Sequence, residues 1–263
     1  MSFFDHLEEL RWHIMRAVIG LLAITIVVLL AKNFIFDYII LAPKSSDFYT
    51  FKAVCALSQK LGLGDAICVE PFDLSLQNLE MAGQFITYIK VSLIIGFIVS
   101  FPYITYELWK FIKPGLYKDE VKASQQFVAV CSFLFLTGVM FGYFVILPFA
   151  TRFFFNFSIS EMNPVENRIR LTDYIGFISM IVLASGIMFE LPVASYVLTK
   201  LGLITPSLMK TYRKHAIVVI LILSALITPA DPWSQILVAI PVFFLYELSI
   251  LISARVIGKS ETE

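Results

Sequence analysis

The chain has 263 residues, 59% hydrophobic and 15% charged, with a mean hydropathy of +0.83 and no net charge. Water-soluble domains carry about 45–50% apolar and about 25% charged residues, so lipid is the solvent for most of this chain. Charge neutrality excludes a basic nucleic-acid-binding surface. The sequence also lacks a His/Cys cluster with metal-ligand spacing, a Gly-rich phosphate loop and a G-x-S-x-G elbow, so it offers no grounds for a metal, a cofactor or enzyme chemistry.

The leader to Arg16 mixes charged and apolar residues. Residues 17–31 are then free of charge, and apolar character resumes through Phe34, Ile35 and Phe36. About 20 residues cross the hydrocarbon core, so the first transmembrane helix is expected at about residues 15–36. A cleaved signal peptide is the competing reading. The amphipathic leader and the missing small-x-small site argue against it.

Residues 37–84 form a first outside loop large enough to hold structure of its own, and it contains Cys55 and Cys68. Two cysteines in a loop facing an oxidising compartment suggest a disulfide, with two unpaired thiols as the alternative. The second helix is expected at about 85–106, with Lys90 and Pro102, and the third at about 127–148. Cys131 lies inside the third and reads as helix packing.

The fourth helix, about 173–199, contains Glu190 followed by Pro192. Glu190 lies roughly 24 Å along it from the outer end, well inside the membrane. A charge there is costly, so the carboxyl should face a polar cavity or be protonated and bonded within the bundle. The fifth helix, 216–228, is bracketed by Arg213 and Pro229, and its thirteen residues reach only about 20 Å against a core of about 30 Å. A short span requires local bilayer thinning or snorkelling flanks. A Thr-Pro-Ala-Asp-Pro turn follows, in which Asp231 reads as turn chemistry. The sixth helix, about 233–251, holds Pro241 and Glu247 and pairs with the fifth as a hairpin. Pro43, Pro102, Pro148, Pro192 and Pro241 should kink or end spans and give a cupped bundle.

Lys and Arg set the orientation. Arg11 and Arg16, the run from Lys110 to Lys122, the run from Lys200 to Lys214, and Arg255 with Lys259 fall on one side. The longer outside loops carry fewer basic residues. The positive-inside rule then puts both termini in the cytoplasm. The expected architecture is an all-α polytopic membrane protein of six spans, one membrane domain over residues 1–263.

Two other functions fit the sequence less well. A proton-coupled secondary transporter using Glu190 as its ion site should show internal repeats and a second deep polar residue, and neither is apparent. An intramembrane enzyme needs a partner at the depth of Glu190, and His6, His13 and His215 are all expected outside the spans.

The inside segments are the most specific part of the chain. The first opens His6-Leu7-Glu8-Glu9-Leu10-Arg11. The second runs Trp109-Lys110-Phe111-Ile112-Lys113-Pro114-Gly115-Leu116-Tyr117-Lys118-Asp119-Glu120. These resemble the H-L-x-E-L-R opening and the W-x-F-x-x-P-x-L-Y-x-x-E first cytoplasmic loop of the TatC family, the C subunit of the twin-arginine protein translocase. Further matches are Ala42-Pro43, Phe189-Glu190-Leu191-Pro192-Val193, Thr228-Pro229-x-Asp231-x-x-Ser234-Gln235, Ala239-Ile240-Pro241 and Glu247. They fall in order along nearly the whole chain. The long first outside loop with its cysteine pair is the main departure.

The resemblance implies a receptor in the bacterial inner membrane that binds twin-arginine signal peptides of folded cargo and works with TatA- and TatB-type single-span partners, driven by the proton-motive force. It leaves open a homo-oligomer within the receptor complex. Family members use glutamates at the positions of Glu9 and Glu120, and two guanidinium groups suit such paired carboxylates. Glu8 adds charge beside them, and Phe111 and Leu116 could supply apolar surface. The bland alternative is that these acids only solvate helix ends. The resemblance also makes Glu190 an intramembrane polar site, and Thr228, Gln235 and Glu247 a docking surface for partner helices.

Overall fold

The computed structural model describes residues 3–60, 62, 68, 74–112, 121–158, 168–227 and 232–260. Its helices are α1 (Phe3–Leu30), α2 (Lys32–Phe34), α3 (Tyr49–Lys60), α4 (Gly83–Ile112), α5 (Val121–Phe141), α6 (Leu147–Asn156), α7 (Leu171–Phe189), α8 (Leu191–Lys200), α9 (Pro206–Thr211), α10 (Arg213–Ile227) and α11 (Pro232–Ser260). Two-residue strands β1 (Leu76–Gln77) and β2 (Ile169–Arg170) pair in parallel and join the first outside loop to the segment before α7.

Among the described residues, five helical stretches are long and apolar enough to cross a membrane: Glu8–Leu30, Gly83–Phe111, Phe127–Phe154, Leu171–Lys200 and Gln235–Val256. The helix between the last two, α10, has 15 residues, about 22 Å of rise and less than the hydrocarbon core.

Several helices overrun the expected boundaries at the ends expected to face the cytoplasm, termed inner below as the opposite ends are termed outer. The first begins at Phe3 rather than near residue 15, because nothing from Glu8 to Arg16 breaks a helix and long charged side chains can reach water from a helical backbone. The same holds for Leu108 to Ile112, so the described part of α4 runs on to Ile112. At its outer end the first helix stops at Leu30, short of residue 36, and passes through α2 into a π-helical turn over Ile35–Ile40.

Small residues bring α5 and α7 together. A Cβ added at Gly138 would stand 2.5 Å from the Ser185 carbonyl oxygen and 2.8 Å from Phe189 Cβ, and one at Gly142 would stand 2.8 Å from Ser185 Oγ. This Gly-x-x-x-Gly seam lets the two backbones nearly touch. It leads along α7 to Glu190, where the expected single fourth helix divides. Pro192, early in α8, has no N–H for the carbonyl four residues back. The core runs through Val91, Ile146, Leu147, Ile175, Ile181 and Val242.

Over the outer ends, α3 lies with Phe48 and Phe51 buried. Phe48 packs edge-on to Tyr143 and stacks on Phe144, and Phe51 meets Phe149. The Cys55–Cys68 disulfide closes this cap, and the Thr50 hydroxyl donates to the Phe144 carbonyl at 2.5 Å.

Candidate functional site

At the inner end of the first helix, Glu8 is exposed and Glu9 half-buried. Glu9 Oε2 is buried with no hydrogen-bond partner among the described residues. Phe111 is half-buried in the last turn of α4. Glu120 and Leu116 lie outside the described residues, in the connection between Ile112 and Val121 that joins α4 to α5.

One turn outward of Glu9, His13 Nδ1 meets Glu107 Oε2 at 2.7 Å, with side-chain exposures of 10% and 4%. Lys110 Nζ lies 3.8 Å from Glu107 Oε1 and is itself partly exposed. Beside them Trp109 is buried, its ring stacked on Phe127 at 3.9 Å between centroids. The sequence reading missed Glu107 and set His13 outside the spans; the structure puts both within apolar helical stretches. The available signals were a carboxylate in the otherwise apolar Tyr106-Glu107-Leu108-Trp109 and an imidazole between Trp12 and Ile14. Neither residue indicates the other, because they are 94 positions apart.

Glu190 stands at the break between α7 and α8. Its N–H bonds the Ile187 carbonyl at 3.1 Å, and its own carbonyl accepts from Ala194 at 2.9 Å. The Cys131 thiol donates to Glu190 Oε2 at 3.0 Å, so Cys131 does more than fill space. Glu190 Oε1 is buried and has no partner among the described residues. Further out, an apolar cleft of about 360 Å³ lies under the cap, lined by Tyr38, Val91, Ile95, Val139, Tyr143 and Val182.

On the hairpin, Gln235 Nε2 donates to the Leu221 carbonyl at 3.1 Å, and Arg213 donates to Glu247 Oε2 at 2.7 Å. Both polar groups therefore have partners inside the chain. Thr228 lies outside the described residues. Across the described part of α10 only Ile220, Ser224 and Ile227 are buried. Val218, Ile222 and Leu226 project outward. The inner ends of α8 and α11 are fastened by Thr199 Oγ1 donating to Ser253 Oγ at 2.8 Å.

Comparison with known proteins places these features. The family profile described as "Sec-independent protein translocase protein (TatC)" matches residues 5–241. The protein of that name from Blattabacterium sp. subsp. Periplaneta americana is 42% identical, covering 98% of this chain and 97% of its own. The Listeria innocua protein is 38% identical over 73% of this chain and 77% of its own. A crystal structure described as the twin arginine translocase receptor TatC in DDM matches with a TM-score of 0.73 at 31% identity, covering 94% of this chain and 99% of that one.

Proposed function

The chain belongs to the TatC family of Sec-independent protein translocase proteins, a family of membrane translocase components rather than enzymes, and on that premise we propose that it is the receptor subunit of a twin-arginine translocase. It forms one membrane domain in the inner membrane with both termini in the cytoplasm. Glu9 and Glu120 each take one guanidinium of a signal peptide, Phe111 and Leu116 give the peptide an apolar surface, and Glu8 adds attraction at longer range. Single-span partners dock along α10 and α11, near Thr228, Gln235 and Glu247. Since Gln235 and Glu247 are bonded within the chain, the outward apolar residues of α10 supply most of that contact.

The chief support is the Glu9 carboxylate. A buried carboxylate oxygen without a partner is costly, and among the described residues Glu9 Oε2 has none. An arginine guanidinium supplies donors in the planar, bidentate geometry that a carboxylate accepts, which an ammonium does not. Arginine pairs are thereby preferred to lysine pairs. The solved relative is itself described as a twin-arginine translocase receptor.

The test is binding of a fluorescent twin-arginine peptide to the full chain in nanodiscs. Glu9→Gln and Glu120→Gln should each weaken it by about tenfold or more, the worth of a hydrogen bond to a charged group. A twin-lysine peptide should bind poorly to the native chain. Equal affinity across both variants would overturn the assignment.

A further inference from the structure

The first helix packs extensively against one neighbour among the described residues, α4, and the two run antiparallel. At the outer end of their seam, the Tyr88 hydroxyl donates to the Leu29 carbonyl at 2.6 Å. In the middle, Gly96 sits against Thr25 and Gly20 against the Tyr103 ring, with no room for a Cβ at either. The Thr25 hydroxyl bonds back to Leu21 in its own helix. At the inner end, His13 and Glu107 bond across the seam. One turn further inward the same register brings Glu9, four residues before His13, level with Phe111, four after Glu107.

We infer that the buried His13–Glu107 pair is a positioning device for signal-peptide recognition, fixing the rotation of the first helix so that Glu9 keeps one orientation beside the last turn of α4. This rests on the receptor reading above. The Tyr88–Leu29 bond holds the outer end of the seam, and at the inner end a directional bond between two buried side chains fixes the helix rotation more tightly than van der Waals contact does. At about 6 Å from the axis, a rotation of about 30° moves a side chain by about 3 Å, enough to break the bond. Buried polar pairs contribute little net stability against apolar replacements of similar volume, and fixing register is their best-attested use. The Lys110 ammonium, 3.8 Å from the other Glu107 oxygen, belongs to the same helix as Glu107 and cannot anchor the first helix to it.

The test uses the full chain in nanodiscs, with peptide affinity, arginine-over-lysine preference and a distance as readouts. Spin labels at Trp12 and Leu108 report the inner seam, and labels at Leu30 and Ile86 the outer one. In His13→Leu/Glu107→Leu, the inner distance distribution should broaden while the outer one stays narrow. Twin-arginine affinity should fall about tenfold and the arginine preference shrink with it. The exchanged pair His13→Glu/Glu107→His, which keeps the bond, should restore affinity to within about threefold of native, well under one tenfold step. If the leucine variant does not insert, the exchanged pair is compared with its two single variants, and no recovery over them overturns the inference. Native affinity and preference in a folded leucine variant would overturn it as well. Glu9→Gln is the control: if it binds like the native chain, the receptor reading itself fails. If it weakens binding while the pair variants do not, only the positioning role fails.

Discussion

Glu190 is an acidic group at the break between two helices inside the membrane, with one oxygen held by the Cys131 thiol and the other buried without a partner among the described residues. A thiol is a weak donor, and one weak bond does not offset removing a carboxyl from water, a cost of about 2.5–3.5 kcal/mol for a charged acid on insertion scales. A residue kept for folding would be better satisfied. Glu190→Leu should therefore leave the purified chain as heat-stable as the native one or more so, by up to about 1–3 kcal/mol, while export of a folded twin-arginine precursor falls sharply. A large loss of melting temperature in Glu190→Leu would instead make the carboxyl a structural group. The Arg213–Glu247 bond gives a contrasting case. Its side chains are 46% and 30% exposed, and such pairs contribute at most about 1 kcal/mol. Glu247→Gln should shift thermal unfolding by no more than that.

The helices themselves were legible because uninterrupted apolar runs of membrane length have few other readings, and Pro192 marked the place where one of them divides. Their inner ends were not. Charge density marks where lipid ends, whereas helix geometry continues until a residue breaks it, so Trp109 and Phe111 were assigned to a loop and lie on α4. The pairing of His13 with Glu107 had no periodic trace in the sequence, because it depends on how two helices are set side by side. The α5–α7 seam belongs to the same class. Gly138, Gly142 and Gly186 look unremarkable in an apolar run, yet a Cβ at Gly186 would stand 2.7 Å from the Phe135 ring. Gly138→Leu must push α7 away and carry Glu190 away from Cys131. It should cost about 1–3 kcal/mol or more in thermal unfolding, as overpacking of a tight contact does. A variant that unfolds at the native temperature would show that the seam is looser than these distances imply.

At the scale of the molecule, side-chain and backbone links join the helices at both ends of the bundle. The outer face is fastened by many links: the Tyr143 hydroxyl to the Ile39 carbonyl, the Tyr174 hydroxyl to the Ile40 carbonyl, the β1–β2 pairing and the Cys55–Cys68 disulfide. Among the described residues, the opposite end is linked by His13–Glu107, Arg213–Glu247, Thr199–Ser253 and the Tyr246 hydroxyl on the Met209 carbonyl. The cysteine pair was legible because two of three cysteines fall in one loop; the two-residue strand pairing, far too short to leave a pattern, was not.

The disulfide's effect should accordingly be local. It closes a separation of 13 residues, for which loop-closure entropy gives about 3 kcal/mol. That energy opposes lifting of α3 from Tyr143, Phe144 and Phe149, not separation of the membrane helices, whose contacts lie beneath it. In Cys55→Ser/Cys68→Ser, amide exchange across Tyr49–Lys60 should therefore quicken by about a hundredfold, the rate equivalent of that energy. Exchange in α5 and α7 should stay at native rates, and twin-arginine peptide affinity should not change. If exchange quickens equally in α7, the cap and the bundle form one cooperative unit, and the disulfide takes part in holding the whole bundle together.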